Sequence, residues 1–560
     1  MATLDFKGKA LVQNYHLSVK YHELVPKKDK SLTDKVRLDD NLIIHGDNLK
    51  ALKALLPTYA GKVKCIYIDP PYNTGNEGWA YNDNVNSPMM QEWFGKAVDR
   101  DDLTRHDKWL CMMMPRLKLL KELLRDDGVI FVSIDDQEVH NLRAVMNEIF
   151  GEENFVAEMI WEGAGKNDAR QIGVNHEYVL LFAKNRLSLP QTWTIAKQAV
   201  QPVLVEVERL KKEFGEDYEA ASLALAAWFL NKKATASFAH RRFRYIDKHG
   251  AYKEDDPTAP GGRHFDLVNP KTGKIIPLRE NRGWSFDQTR FNELVKDGRI
   301  SFVTEESIMV RRYLHETDSV TPQSVFYKPA RSASEALTRL MGAMVFEFPK
   351  DETVIQQFIE MSTSSEDFIL DSFAGSGTTA HAVLAQNKED GGNRKFILVE
   401  CEDYADSITA ERVRRVIKGV KGASDEHLKK GLGGTFSFFE LGKAIELDSI
   451  LDGKNLPSYL ELARYVFYTA TGEEFDERKL NEKRSFVGES KTHEVYLFYQ
   501  PDIDHLKKTA LTLERAESLG KLKEKRRLVF APTKYLDQEQ LDALRIDFAQ
   551  LPFEIYKLAT

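Results

Sequence analysis

Residues 368–386 read FILDSFAGSGTTAHAVLAQ: a short apolar run, a glycine-rich turn and a stretch of helix-forming residues. A buried strand, tight turn and helix in that order open an α/β nucleotide-binding unit, where backbone N–H groups at the helix start face a ligand. Gly375 and Gly377, with the small Ala380 three residues on, satisfy G-x-G-x-x-A. Glu400 closes the next apolar run 23 residues after Gly377, placed for ribose hydroxyls. An NAD-dependent enzyme carries the same pattern. Asp371 before the loop and Phe373 at its first turn favour another ligand, because a cationic sulfonium with a free amino group is better served by carboxylate and ring than by a bare helix N-terminus. The loop therefore reads as a site for S-adenosyl-L-methionine.

Outward from this stretch, strand-like runs recur at 42–47, 63–69, 128–135, 178–184 and 395–400, with helical stretches between them. Alternating strands and helices predict a parallel, doubly wound sheet. In the predicted helix at 110–124 the methionines pack on that sheet. From about Leu187 to Gln323 the rhythm breaks into a charged helical run at 206–230 and short strands, with a hairpin at 264–278 turning at Asn269 to Gly273. After Ala423 aromatic-rich strands at 434–441 and 494–500 and a charged helical run at 502–527 begin a third unit.

The 560 residues suit two to four domains of roughly 100 to 200 residues each. Charged residues at 29% and hydrophobic ones at 42% exclude a largely disordered chain. Three scattered cysteines, an acidic start (MATLDFKGKA) and no long apolar run predict a soluble, cytoplasmic protein without a disulfide framework, a structural zinc site or a membrane partner. The net charge of −7 hides an asymmetry: residues 231–350 hold 21 Lys and Arg against 15 Asp and Glu, leaving 58 against 71 elsewhere. Within that basic stretch HRRFRY (240–245), RENRGWSF (279–286) and RRY (311–313) interleave arginine with aromatics, as phosphate contact and base readout require.

Asp69-Pro70-Pro71-Tyr72 stands at the carboxyl end of the run VKCIYID, the edge where open α/β sheets bind ligands. The tetrapeptide sets a carboxylate, a backbone carbonyl and an aromatic plane side by side. The exocyclic amine of adenine is a poor nucleophile because its lone pair is delocalised into the ring. Two acceptors, the Asp69 carboxylate and the Pro70 carbonyl, let the nitrogen pyramidalise, and Tyr72 stacks on a base swung out of the duplex. Methylation at cytosine carbon needs a thiolate, and no cysteine here follows a proline in the expected Pro-Cys pair.

With these motifs the sequence resembles the DNA amino-methyltransferases of the β arrangement, most closely the modification subunits of type III restriction-modification systems. DPPYNTG (69–75) precedes FAGSGTT (373–379) by 304 residues, with the basic insertion between. LIIHGDNLKAL (42–52), NHEYVLLFAKN (175–185) and FEFPKDETVIQQFI (346–359) match as well. The resemblance implies an α/β, Rossmann-like S-adenosylmethionine-dependent methyltransferase core, with a target-recognition domain inserted in it and a C-terminal α+β domain after it. The expected divisions are an N-terminal extension (1–40), core (41–186), recognition domain (187–323), core (324–423) and assembly domain (424–560).

Carried over by position, Asp69, Pro70, Pro71 and Tyr72 hold the target base. Asp371, Phe373, Ala374, Gly375, Ser376, Gly377, Thr378 and Glu400 hold the cofactor, with Asp47 near its adenine and Phe348, Pro349 and Lys350 lining its methionine end. The family often has Pro-Lys-Pro where this chain has Pro349-Lys350-Asp351. Asp in place of Ser at position 69 favours adenine over cytosine. Double-stranded DNA, a second copy of the chain and a helicase-nuclease restriction subunit are the implied partners, and no metal is required. A cytosine-N4 or solitary adenine methyltransferase, an RNA adenine methyltransferase and a non-catalytic DNA-recognition subunit remain the alternatives.

Overall fold

A computed structural model describes residues 4–74, 105–163, 171–197, 199–233, 236–317, 319–421, 423, 426–444, 456–520 and 524–551. The chain divides into two compact units, one of Met1–Gln191 with Gln323–Thr560 and the other of Thr192–Pro322.

The first unit is built on ten strands: β1 (His22–Pro26), β2 (Leu42–His45), β3 (Val63–Ile68), β4 (Leu124–Ile134), β5 (Phe155–Glu162), β6 (His176–Ala183), β7 (Val325–Tyr327), β8 (Phe368–Asp371), β9 (Lys395–Glu400) and β10 (Ser437–Ala444). Across the sheet they run β1-β10-β2-β9-β8-β3-β4-β6-β5-β7. The central strands from β10 to β4 are parallel. They are buried on both faces, which is why LIIH, VKCIYI and FILD read as mainly apolar runs rather than alternating ones. Since β3 and β8 are neighbours in parallel register, Ile369 opposite Cys65, their carboxyl ends emerge together although residues 69 and 371 are far apart in the chain. Helices Asn48–Tyr59 and Arg105–Leu123 share one apolar core with the sheet, and Met112, Met113 and Met114 are buried in it.

Three differences from the sequence reading concern this sheet. The run at 178–184 is antiparallel to β4, since β5 and β6 form an antiparallel pair that reverses the chain beside β4. The strand at 437–444, assigned to the C-terminal domain by its position, pairs in parallel with β2, because Phe438 and Phe439 complete the core of the sheet. Residues 22–26, expected in an N-terminal extension, then pair antiparallel with β10 and close that edge. Only beyond this does the C-terminal part have its own four-stranded sheet, Phe486–Glu489, His493–Leu497, Arg526–Ala531 and Ile546–Gln550, packed on helix Tyr459–Thr471.

The second unit pairs helices Val200–Phe214 and Tyr218–Asn231 with a four-stranded antiparallel sheet of Tyr245–Asp247, Gly250–Asp255, Ile300–Thr304 and Ser307–Tyr313. Leu267–Val268 and Ile275–Ile276 form the small antiparallel pair around the Asn269 turn.

Candidate active site

The Asp-Pro-Pro-Tyr turn is held from behind. Trp109 Nε1 donates to the Pro71 carbonyl at 2.7 Å, and Asn73, in the left-handed region at φ 60°, turns its amide onto the Arg105 carbonyl at 3.2 Å and onto the buried Glu138 carboxylate. Asp or Asn tolerates that backbone conformation best after glycine, so Asn73 suits the corner. At the front, the Tyr72 hydroxyl donates to Glu177 at 2.9 Å. Asp69 Oδ1 is buried and, among the described residues, accepts no hydrogen bond of good geometry, while Lys350 Nζ forms an ion pair with it at 3.3 Å. Burial pushes the Asp69 carboxyl above the usual range, and the Lys350 ammonium is the largest influence opposing it. A buried acceptor left open is costly unless a ligand fills it.

The glycine loop is shaped by two residues with positive φ, Gly375 at 51° and Gly377 at 80°. A Cβ on Gly377 would lie 3.1 Å from the Thr409 carbonyl oxygen, and one on Gly375 would lie 3.3 Å from the Phe346 ring, so both conformation and space call for glycine. Asp371 accepts from the Phe373 N–H at 3.0 Å and the Thr379 hydroxyl at 2.6 Å. Glu400 accepts from the N–H groups of Gly375, Cys401 and Glu402 at 2.7, 2.9 and 3.0 Å. Each carboxylate thus ties the loop to a strand end and keeps a lone pair for a ligand. Burial is the main cause that pushes both carboxyls up to about 7. Behind the loop the buried Arg412 donates to Ser376 Oγ at 2.9 Å and Thr378 Oγ1 at 2.8 Å.

Turn and loop open onto one cleft of about 970 Å³. Asp69, Pro70, Pro71 and Tyr72 line it together with Phe348, Pro349, Lys350, Asp371, Phe373, Ala374, Gly375, Ser376, Thr378 and Glu400. Two expected residues do not. Gly377 faces Thr409 at the start of helix Thr378–Asp390, where it shapes the loop. Asp47 caps helix Asn48–Tyr59 by accepting from the Lys50 N–H at 3.0 Å, and borders a separate hollow with His22 and Glu440.

Lys350, expected at the methionine end of the cofactor, lines the cleft with the glycine loop. Its side chain reaches the acceptor turn, with Nζ 2.7 Å from Glu177 and 2.5 Å from the Tyr72 hydroxyl. The neighbouring departure from Pro-Lys-Pro has a local cause: Asp351 is the N-cap of helix Glu352–Ser362, accepting from the Thr353 N–H at 3.0 Å. Glu177, Trp161, Phe346 and Tyr404 also line the cleft and were not singled out from the sequence. The string NHEY carried the signal for Glu177, one place after His176, which pairs instead with the Tyr178 hydroxyl at 3.0 Å. Residues 75–104, which follow the turn, lie outside the described residues. Among the described residues no group of three or more His, Cys, Asp or Glu is placed to hold a metal ion, and no helix is long and apolar enough to cross a membrane.

An open α/β sheet with a glycine loop and strand-end acid facing an Asp-Pro-Pro-Tyr turn across one cleft defines a Rossmann-like methyltransferase fold. The family model described as DNA methylase matches residues 63–411, and the chain belongs to that family. It is 32% identical over 400 residues to the Mod subunit of the type III restriction-modification enzyme EcoP15I of Escherichia coli, covering 68% of this chain and 61% of that protein. It is 31% identical over 453 residues to the EcoPI Mod subunit of Escherichia phage P1, covering 73% and 67%. Against the type II methyltransferase M.KpnI of Klebsiella pneumoniae the identity is 30% over 377 residues, covering 63% and 79%. The chain therefore spans about three fifths of the length of the first of these relatives.

Proposed function

We propose that the protein is a site-specific DNA methyltransferase that moves a methyl group from S-adenosylmethionine to the N6 amine of an adenine flipped from double-stranded DNA. The observation that carries this reading is the half-buried Asp69 beside Tyr72, whose Oδ1 has no well-aligned donor among the described residues, on the same cleft as the glycine loop. Asp69 and the Pro70 carbonyl take the two amine hydrogens, and Tyr72 offers its ring to the extruded base. S-adenosylmethionine, when bound, supplies an electrophilic methyl group on a cationic sulfur. Glu400 suits its ribose, and Asp371 and Phe373 suit its positive charge. The methylated amine returns to neutrality by losing one proton. Positioning and charge placement do the rest.

Likeness to two proteins named Mod subunits of type III restriction-modification enzymes supports a modification subunit; a homodimer and a restriction subunit as its partners are part of the same proposal. Likeness to M.KpnI supports the second reading, a methyltransferase without that partner. Incubation with methyl-labelled S-adenosylmethionine and unmethylated bacterial DNA, then nucleoside analysis, tests the chemistry. Label in N6-methyladenine is expected; label on cytosine would overturn the meaning given to Asp69.

Affinity for the cationic cofactor should depend on pH. Asp371 and Glu400 hold their protons more tightly when buried than in an unfolded chain, so their contribution to stability is lost as pH rises through about 7. The ionised pair that results attracts the cation. Cofactor affinity measured by calorimetry should therefore fall roughly tenfold for each of these groups that must ionise as pH drops from 8 to 6; a flat profile would remove both carboxylates from the site.

The three arginine runs of the second unit differ in their partners. Arg279 pairs with Asp256 at 2.8 Å, Arg311 with Asp247 at 3.1 Å and Arg312 with Asp255 at 3.1 Å. Arg241, Arg242 and Arg244 are exposed and have no carboxylate within ion-pair reach among the described residues. They are the groups left for phosphate. Replacing all three with alanine should lower the slope of log affinity for DNA against log salt by about 3, whereas Arg279→Ala with Arg312→Ala should move it little. Equal slopes in the two variants would reject the assignment.

A further inference from the structure

The acceptor turn contains a charge arrangement that methyl transfer as described leaves unused. Lys350 Nζ stands 2.7 Å from Glu177 Oε2, 2.5 Å from the Tyr72 hydroxyl and 3.3 Å from Asp69 Oδ1. It also lies 4.8 Å from the centre of the Tyr72 ring and 5.5 Å from that of Trp161. From the same residue, the backbone carbonyl accepts from Thr378 Oγ1 at 3.4 Å, in the first turn of the helix behind the glycine loop. One residue thus touches both halves of the cleft.

We propose that Glu177 and Lys350 are a positioning pair for the methyl acceptor: Glu177 holds the Lys350 ammonium, which fixes the Asp69 carboxylate and the Tyr72 ring in register with the cofactor loop. The inference rests on the reading of Asp69 to Tyr72 as the target-amine site.

The physical case starts from what Asp69 must do. To accept an amine hydrogen its open oxygen must be unprotonated, yet burial favours the protonated acid. Lys350 is the cation that opposes burial. Facing Asp69 are also the Glu177 carboxylate, the Tyr72 and Tyr67 hydroxyls and Asp371, while Asp135 lines the same cleft. Lys350 already pairs with Asp69 at 3.3 Å, and without Glu177 it would draw closer and donate a well-aligned hydrogen bond to the oxygen the amine needs. Glu177 prevents this by drawing the ammonium to 2.7 Å, leaving Asp69 at the longer 3.3 Å with its acceptor open. Charge stabilisation is thereby separated from hydrogen-bond occupancy.

The two members of the pair act on Asp69 with opposite sign, and this supplies the test. With cofactor and DNA both saturating, the acid limb of kcat should move to higher pH in Lys350→Met, because the counter-charge is gone, and to lower pH in Glu177→Gln, because a like charge is gone. Both variants should lose kcat, and Lys350→Arg should bring the limb back toward wild type. Cofactor affinity should be kept in Lys350→Met, since the contact with Thr378 uses the backbone carbonyl, and that binding also reports a folded protein. Transfer with the acid limb unmoved in both variants would overturn the pair and leave the target-amine reading standing. Loss of cofactor affinity in Lys350→Met would overturn it too, by returning the side chain to the cofactor. Absence of transfer by the wild type would overturn the target-amine reading, and the pair with it.

Discussion

Asp69→Ala should lower methyl transfer by at least about 10² to 10³-fold, the range seen when one preorganised polar group is removed from a reaction centre. Cofactor affinity should change far less than transfer, because Asp371 and Glu400 are held by their own backbone partners. The fold should tolerate the change for a stated reason. Lys350 keeps Glu177 at 2.7 Å after Asp69 is gone, so the truncation leaves no uncompensated buried cation. Single-turnover transfer with both substrates saturating, beside calorimetric cofactor binding, separates the two effects. Transfer within tenfold of wild type would remove Asp69 from the chemistry, and parallel loss of cofactor binding would make it structural.

Phe358→Ala should destabilise the first unit by about 3–5 kcal/mol, the usual range for emptying a fully buried aromatic site. Phe358 lies on helix Glu352–Ser362 and stacks on Phe131 of β4 with ring centres 4.7 Å apart and planes within 5°. Tyr67 and Phe326 each lie 6.2 Å from the same ring, so three aromatic groups lose their common partner at once. The same helix begins at the Asp351 cap, one residue after Lys350. A loosened helix should therefore weaken transfer more than cofactor binding. Urea unfolding of Phe358→Ala and Phe358→Leu measures the stability, with the leucine variant expected to recover part of it. A change below about 1 kcal/mol for the alanine variant would mean that the site collapses around the void.

Much of the site was legible because its chemistry is written in short strings. A turn that needs positive φ and close approach is written as glycine, and Gly375 and Gly377 are found there. An acceptor flanked by rigid backbone is written as Asp-Pro-Pro, and Asp69 is found half-buried, with Oδ1 buried and without a well-aligned donor among the described residues. Glu177 and Lys350 were harder to assign. Each sits in a recognisable string, but which carboxylate an ammonium chooses depends on strands and loops that meet only after folding. Asp47 shows the same limit in reverse: it stands at a strand end like Asp69 and Asp371, yet it caps a helix beside a different hollow.

For the sheet, apolar runs and glycine turns placed six of the ten strands, because burial on both faces leaves a local mark. Direction and neighbour order have no such mark. That the 178–184 strand turns antiparallel, that residues 437–444 join the core sheet rather than the C-terminal one, and that β3 lies beside β8 are all outcomes of long-range backbone pairing. The sequence by itself therefore marked the two strings, Asp-Pro-Pro-Tyr and the glycine loop, that carry the proposed chemistry. Only the tertiary structure decided that the two strings share one cleft and that the Lys350 side chain reaches the Asp-Pro-Pro-Tyr turn, because local chemistry is encoded in adjacent residues whereas adjacency between strands is settled by packing.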